Sequence, residues 1–163
     1  YQAFACWKIN GDYITTPTVT LDASCIQNGN ITVELITAPL LTEKGLLISE
    51  LYTGHDGPWI ELYNASASPV HLEEYSLSNN LPAPMLKFHL PRQTLAPGET
   101  FVAGIDNTGV FRLAQGDSVY LTSNGIVADT TVIPVMAETE SYGRLSETNE
   151  WRFYVHPTKG IVN

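Results

Sequence analysis

Apolar and polar residues alternate through most of this chain, and turns that carry glycine interrupt the alternation at intervals of roughly ten residues. No window of helical length keeps apolar residues three and four positions apart. A chain of this kind builds strands, so the pattern predicts an all-β protein. Short strands at this spacing favour a sandwich or a barrel.

From Leu46 onwards the alternation predicts eight strands, at Leu46 to Tyr52, Trp59 to Asn64, Leu72 to Leu77, Lys87 to Leu90, Thr100 to Ala103, Val119 to Thr122, Ile126 to Val132 and Arg152 to His156. Before them, alternation runs through Tyr1 to Ile9, and Asn10-Gly11 predicts a tight hairpin turn. Three short N-terminal strands are marginal on their own. We therefore expect residues 1–40 to be either the end of a preceding β domain or an edge extension of a main domain over residues 41–163.

The charge balance restricts the choice of partner. Among 163 residues there are 8 Lys and Arg against 17 Asp and Glu, for a net charge of -9. A protein that neutralises phosphates needs a basic face, so nucleic acid is excluded as the expected partner. No apolar run approaches the ~20 residues of a membrane span. An acidic, lysine-poor surface is typical of a soluble, exported protein.

Neither the start of the sequence nor its cysteines fix the compartment. Because the sequence opens at Tyr1 without a signal peptide, we expect a processed form or a part of a longer protein. Cys6 and Cys25 could pair in an oxidising compartment. Two cysteines provide no framework to test the pairing, so two buried free thiols are the favoured reading.

No motif predicts catalysis. The sequence has no Gly-x-Ser-x-Gly elbow, Walker loop, His-Glu-x-x-His or Cys-x-x-Cys, and its four histidines lie far apart. We therefore predict no enzyme and no cofactor. Calcium would need six to eight oxygen ligands, and the candidate loops are short: His55-Asp56, Asp106-Asn107-Thr108, and Glu138 with Glu140. Solvated turns account for them better.

Five signals occur in a fixed order, namely Ile48-Ser49-Glu50-Leu51, Pro58-Trp59-Ile60-Glu61-Leu62-Tyr63-Asn64, Leu95-Ala96-Pro97-Gly98-Glu99, Ser141-Tyr142-Gly143-Arg144 and Pro157-Thr158-Lys159-Gly160. In this order they resemble the lamin-tail domain in its bacterial, secreted form, over about Leu46 to Asn163. The resemblance implies an immunoglobulin-like β-sandwich, and the group of about three extra N-terminal strands lies outside the region that it covers. It also gives structural positions to Trp59, Asn64, Pro97, Gly98, Gly143 and Trp151.

Modules of this family accompany other domains in larger exported proteins. The resemblance therefore implies a non-catalytic structural or adhesive module of a secreted or cell-surface bacterial protein, with protein or glycan as its partner. The alternative is an accessory carbohydrate-binding module attached to an enzyme, because aromatic rings stack on sugars. Trp7, Trp59 and Trp151 are the candidate rings. Strands also favour aromatic residues for packing.

The first hairpin of the main domain carries a charge conflict. A loop centred on His55-Asp56 pairs residues across the two strands as follows: Leu51 with Ile60, Glu50 with Glu61, Ser49 with Leu62, and Ile48 with Tyr63. Two carboxylates then face each other, and like charges directly opposite repel. One of them holds its proton unless a cation intervenes.

Arg144 is the predicted compensation for this pair. Its guanidinium can bind carboxylates through two bonds at once, and Gly143 before it allows close backbone approach. We therefore predict a charge cluster of Glu50, Glu61 and Arg144. The rival readings are a solvated pair in a register shifted by one residue, and a bound cation such as calcium.

Overall fold

The computed structural model describes residues 2–14, 16–39, 45–79, 81, 87–106, 109 and 111–163. Their strands are β1 (Gln2–Ile9), β2 (Asp12–Ile14), β3 (Val33–Pro39), β4 (Leu46–Tyr52), β5 (Trp59–Asn64), β6 (Val70–His71), β7 (Tyr75–Ser78), β8 (Phe88–His89), β9 (Thr94–Leu95), β10 (Thr100–Gly104), β11 (Ser118–Ser123), β12 (Ile126–Val132), β13 (Ser141–Arg144) and β14 (Trp151–Tyr154). Single 3-10 turns occur at Ala23–Cys25 and Leu72–Glu74. None of the described helices is long and apolar enough to cross a membrane.

Two antiparallel sheets form the main body. One has the strand order β10-β5-β4-β13-β14, and the other has the order β12-β11-β7-β8. Strands β6 and β9 form a separate two-stranded ribbon. Apolar residues from both sheets make one core, and those without solvent exposure include Ile48, Leu51, Ile60, Leu62, Leu77, Val119 and Leu121. The structure therefore confirms the predicted immunoglobulin-like β-sandwich.

Alternation explains which side of the five-stranded sheet is buried. Leu51 pairs with Ile60 and with Tyr142, so these side chains share the inner face against the other sheet. Their neighbours along each strand point to the opposite, outer face. The sequence pattern missed β13, because only four residues pair there and one of them is Gly143.

The N-terminal strands form a third sheet with the order β2-β1-β3. The predicted turn at Asn10-Gly11 is present, with positive φ at both residues. Strand β2 ends at Ile14, and β3 continues through Pro39. Most of the predicted interdomain break, at 40–44, lies outside the described residues.

One buried tyrosine joins the N-terminal sheet to the sandwich. Tyr120 on β11 has no solvent exposure, and its hydroxyl donates to the Ala5 carbonyl oxygen at 2.8 Å. Burial raises the pKa of Tyr120 to about 12, which keeps this hydroxyl a donor. Cys6 on β1 is a buried free thiol, and Cys25 is a partly exposed one.

We predict that residues 42–163 fold alone, with reduced stability because Tyr120 loses its cover. The shortened chain should still show a cooperative thermal transition by circular dichroism. In the full chain, Tyr120→Phe should cost about 1 kcal/mol, the value of one buried hydrogen bond. In the shortened chain the same change should cost less than about 0.5 kcal/mol, since Ala5 is absent. Loss of the cooperative transition would place the N-terminal strands within the sandwich unit.

Candidate functional site

Two fully buried glutamates face each other across β4 and β5. Glu50 pairs with Glu61, as the sequence register predicts, and neither side chain has solvent exposure. The pairings predicted for Ser49 and Ile48 are wrong, because a β-bulge lies between Ile48 and Glu50. The structure therefore pairs Ile48 with Leu62 and not with Tyr63. The extra residue in the bulge is Ser49, whose hydroxyl reaches Glu61.

The carboxylate pair lies on the outer face of the sheet, where a short segment covers it. We call residues 157–163, which follow β14, the covering segment. Two of its residues, Thr158 and Gly160, hydrogen-bond directly to the two glutamates. The burial of this pair therefore comes from one stretch of chain laid across the sheet.

Glu50 accepts three hydrogen bonds. The Ser141 hydroxyl donates to Oε1, and the Thr158 backbone N–H donates to the same oxygen at 3.0 Å. The Thr158 hydroxyl lies 2.7 Å from Oε2. Both oxygens of this carboxylate are thus engaged, one of them by the covering segment alone.

Glu61 accepts from both sides. The Ser49 hydroxyl lies 2.8 Å from Oε1, and the Gly160 backbone N–H donates to Oε2 at 2.6 Å. Burial raises the pKa of Glu61, the negative charge of Glu50 raises it further, and the hydrogen bonds from Ser49 and Gly160 oppose the rise. A backbone N–H can only donate, so a proton on Glu61 belongs on Oε1, where the Ser49 hydroxyl can accept it.

Thr158 and Asn163 determine how Glu50 is hydrogen-bonded. The Thr158 hydroxyl has a single proton but two acceptors, Glu50 Oε2 and Asn163 Oδ1 at 2.5 Å. Asn163 Nδ2 is buried without a partner. A half-turn of this amide lets Nδ2 donate to the Thr158 oxygen and leaves the Thr158 proton for Glu50. In that arrangement both Glu50 oxygens accept hydrogen bonds from the covering segment, and the raised pKa of Glu61 favours a proton on Glu61 Oε1.

Gly143 leaves the space in which Asn163 lies. It pairs with Glu50 and so faces the same outer side of the sheet. A Cβ on Gly143 would lie 2.7 Å from Asn163 Nδ2 and 2.8 Å from Tyr154 Cε2. The close backbone approach predicted for Gly143 thus admits the covering segment and the Tyr154 ring.

Arg144 does not bridge the glutamates, which corrects the predicted charge cluster. Because Gly143 faces Glu50, strand alternation turns Arg144 to the opposite face. There its Nη2 donates to Asp129 Oδ2 at 2.8 Å, and its guanidinium lies 4.9 Å from the centre of the Trp151 ring. Hydroxyls and backbone N–H groups take the place that the sequence assigned to a cation.

The Arg144–Asp129 pair is nearly buried. Its side chains are 12% and 14% exposed, and Asp129 Oδ2 also accepts from the Ile48 backbone N–H at 2.8 Å. Burial raises the pKa of Asp129, while the Arg144 charge and these hydrogen bonds lower it, and burial is the larger effect. The pair ties β12 to β4 and β13 across the sandwich.

The other predicted positions have packing roles. Asn64 is fully buried, and its amide donates to the carbonyl oxygens of Ser68 and Leu95 at 2.9 Å. Gly98, which follows Pro97, has a φ of 79° and donates its N–H to the Asn64 carbonyl oxygen. Trp59 is 3% exposed and stacks on Tyr52. The Trp151 ring stacks on Tyr142.

Sequence reasoning missed the donors that complete the site. All of these donors occur in the motifs quoted above, namely Ser49, Ser141, Thr158 and Gly160. A sequence motif does not indicate, however, that a later segment folds back over a pair of strands. Within the described part of the chain, no three His, Cys, Asp or Glu side chains gather as metal ligands would. Asn107 and Thr108 of one candidate calcium loop lie outside the described residues. Glu138 instead contacts His55 at 2.8 Å.

Comparison with known proteins identifies one family. The model of the lamin tail domain matches residues 41–134, which is more than half of the chain. No curated protein and no solved structure matches. The matched region includes both glutamates and Asp129, whereas Arg144 and the covering segment follow it.

We predict that Glu61→Gln makes the protein more stable at neutral pH. An amide at this position accepts from Gly160 through its oxygen and donates to Ser49 through its nitrogen, as the protonated acid does. In the parent the raised pKa of Glu61 means that stability is complete below about pH 4.3 and falls as the pH rises to the folded pKa, at ~1.4 kcal/mol per pH unit within that window. The variant should not show this fall.

Urea unfolding of both proteins from pH 4 to pH 8 measures this difference. The matched control is Glu147→Gln, an exposed carboxylate, which should change stability by less than about 0.5 kcal/mol at every pH. If Glu61→Gln is instead destabilised at pH 7 and matches the parent at pH 4, the Glu61 carboxylate is ionised in the fold.

Arg144→Ala should destabilise the protein by about 2 to 5 kcal/mol at neutral pH, because it leaves the Asp129 carboxylate buried without its cation. Without Arg144 the pKa of Asp129 rises further, so the loss should shrink as the pH falls and the carboxyl takes up a proton. The double variant Arg144→Ala with Asp129→Asn should recover part of the loss. Denaturant unfolding at pH 4.5 and 7.5 measures both effects. An equal loss at the two pH values would contradict this account.

Proposed function

Because the chain belongs to the lamin tail domain family, we propose that it is a non-catalytic structural or adhesive interaction module of a larger secreted or cell-surface protein of bacterial type. Its partners are protein or glycan surfaces and the neighbouring domains of the parent chain. In this role the domain presents the surface of a rigid β-sandwich to its partners, and this requires no cofactor.

The engagement of the buried carboxylates is the observation that carries this proposal. Paired carboxylates perform acid–base chemistry in many enzymes, but they need access to a substrate. Here all four carboxylate oxygens of Glu50 and Glu61 contact donors from the protein itself, and neither side chain is exposed. The pair therefore supports a structural use, which is to anchor the covering segment.

Surface charge supports a partner other than nucleic acid. The net charge is -9. Among the described cations, Arg144 is bound to Asp129, Lys8 lies 3.7 Å from Glu34, and the highly exposed Arg92 lies 4.0 Å from Glu73. No basic face of the kind that follows a phosphate backbone arises from these positions. The acidic surface suits an exported protein that remains soluble through charge.

A carbohydrate-binding role would use the open hollow beside Trp59. The hollow has a volume of about 370 Å³ and also carries Asp56, His156 and Lys159. Sugar rings stack on exposed aromatic faces, but Trp59 is 3% exposed and Lys159 Nζ lies 5.7 Å from its ring centre. The hollow offers hydrogen-bonding groups without a stacking platform, so the structural role has the better support.

We predict that a glycan array gives no consistent hit with the purified protein. The physical reason is the covered Trp59 ring. Reproducible binding to one glycan class, lost on Asp56→Asn or His156→Ala with an unchanged melting temperature, would establish the carbohydrate-binding alternative. Because both side chains lie at the hollow and outside the sandwich core, these variants separate lost binding from lost folding.

Catalysis should also be absent. A broad screen with hydrolase and phosphatase substrates should give no turnover above a heat-denatured sample. Turnover that disappears in a folded Glu50→Gln or Glu61→Gln protein would contradict the proposal, because it would assign the carboxylate pair to chemistry. Turnover unchanged in both variants would point to a contaminating enzyme.

A further inference from the structure

Strand β14 is an open edge of the five-stranded sheet. It pairs with β13 on one side, and no described strand pairs with its other side. Its apolar side chains are exposed: Phe153 is 50% exposed, and Val155 just beyond the strand is 64% exposed. The Phe153 ring rests against Tyr142, with the ring centres 5.0 Å apart, at the rim of the core.

An apolar edge strand is a template for pairing with another strand, and proteins usually protect such edges with charges, prolines or bulges. Strand β14 has a single charged residue, Arg152, and neither a proline nor a bulge. The residues that flank it carry opposite chemistry, with Glu150 before the strand and His156 after it. An antiparallel copy of the same segment brings these two ends together.

We propose that β14 pairs with β14 of a second copy of this chain, antiparallel and about a two-fold axis at Phe153. This inference goes beyond the proposed function, because it names a partner for one edge of the module. The two five-stranded sheets become one continuous ten-stranded sheet. Such an isologous contact closes on itself and yields a dimer.

Side-chain alternation restricts the register of this pairing. Residues that face each other must lie on the same face of the shared sheet. In a symmetric antiparallel pair, one residue must therefore lie directly opposite the same residue of the partner, and the two-fold axis lies midway between these two copies. An axis at Arg152 sets two guanidinium groups opposite each other, which repel. An axis at Phe153 sets the two Phe153 rings together and places each Arg152 opposite the partner's Tyr154.

The chosen register also satisfies the two ends of the segment. With the axis at Phe153, Glu150 just before the strand and the partner's His156 just after it come to the same end of the interface, where the imidazole N–H can donate to the carboxylate. The same contact occurs twice because the interface is symmetric. Repulsion between two chains of net charge -9 opposes the dimer over longer distances, so added salt should strengthen association by screening it.

Sedimentation velocity over a concentration series tests the dimer. The parent should show a concentration-dependent monomer–dimer equilibrium that shifts toward dimer between about 20 mM and 300 mM salt. Phe153→Lys sets two ammonium groups at the axis and should weaken association by about tenfold or more. The matched control is Val135→Lys, a more exposed apolar position at 79% that lies outside β14, and it should associate as the parent does. A single monomeric species at every concentration, or equal weakening by both variants, would overturn the proposal.

A cross-linking experiment tests the register independently of affinity. In a Cys25→Ser background, Phe153→Cys places two thiols directly opposite each other, at the roughly 4.5–5.5 Å Cβ separation of facing residues, and mild oxidation should give a covalent dimer. Arg152→Cys is the control, because its two thiols lie diagonally at roughly 7–8 Å and should not join. Cross-linking through position 152 with none through 153 would overturn the register, and cross-linking through neither would overturn the pairing.

Discussion

Two like charges placed opposite each other in a buried position determine how the outer face of the five-stranded sheet is covered. Glu50 and Glu61 can remain under the covering segment because hydroxyls and backbone N–H groups contact all four of their carboxylate oxygens. Burial raises the pKa of Glu61, which favours a proton there and so reduces the repulsion. The segment in turn lies flat only because these carboxylates accept its donors. Each half of the arrangement depends on the other, since the segment shields the pair from water and the carboxylates bind donors of the segment. The sandwich thus gains a layer that its two apolar sheets do not require.

Much of the fold follows from the sequence because alternation and turn chemistry are local properties. The positions of β4, β5 and β12 agree with their predicted bounds, and the Glu50–Glu61 pairing follows from one hairpin loop. The bulge at Ser49 could not be predicted in this way. A bulge sets two residues of one strand against one residue of the other, and here it depends on the contact between Ser49 and Glu61 on the neighbouring strand. Strand β13 is too short for its four residues to show a period.

The candidate site was also predictable only in its local features. The repulsion between two facing carboxylates can be predicted from the sequence, since the hairpin register alone places Glu50 opposite Glu61. The way in which this conflict is resolved depends on tertiary structure. Gly143 faces Glu50, so the next residue, Arg144, points to the opposite face of the sheet and binds Asp129. Thr158 and Gly160 reach the pair from about a hundred positions away, and no local pattern records such a contact. The family resemblance located both motifs without stating that they touch.

Gly143 has a consequence for how this architecture can vary. The absence of a single methyl group at this position determines whether Asn163 and Tyr154 can lie against the sheet. Any side chain there would lie within 3 Å of both the Asn163 amide and the Tyr154 ring, so these side chains would have to move. A displaced Asn163 amide would no longer contact the Thr158 hydroxyl, which is one of the donors to Glu50. The hydrogen atom that Gly143 carries in place of a side chain therefore keeps the Asn163 amide, the Thr158 hydroxyl and the Glu50 carboxylate in one connected set of contacts.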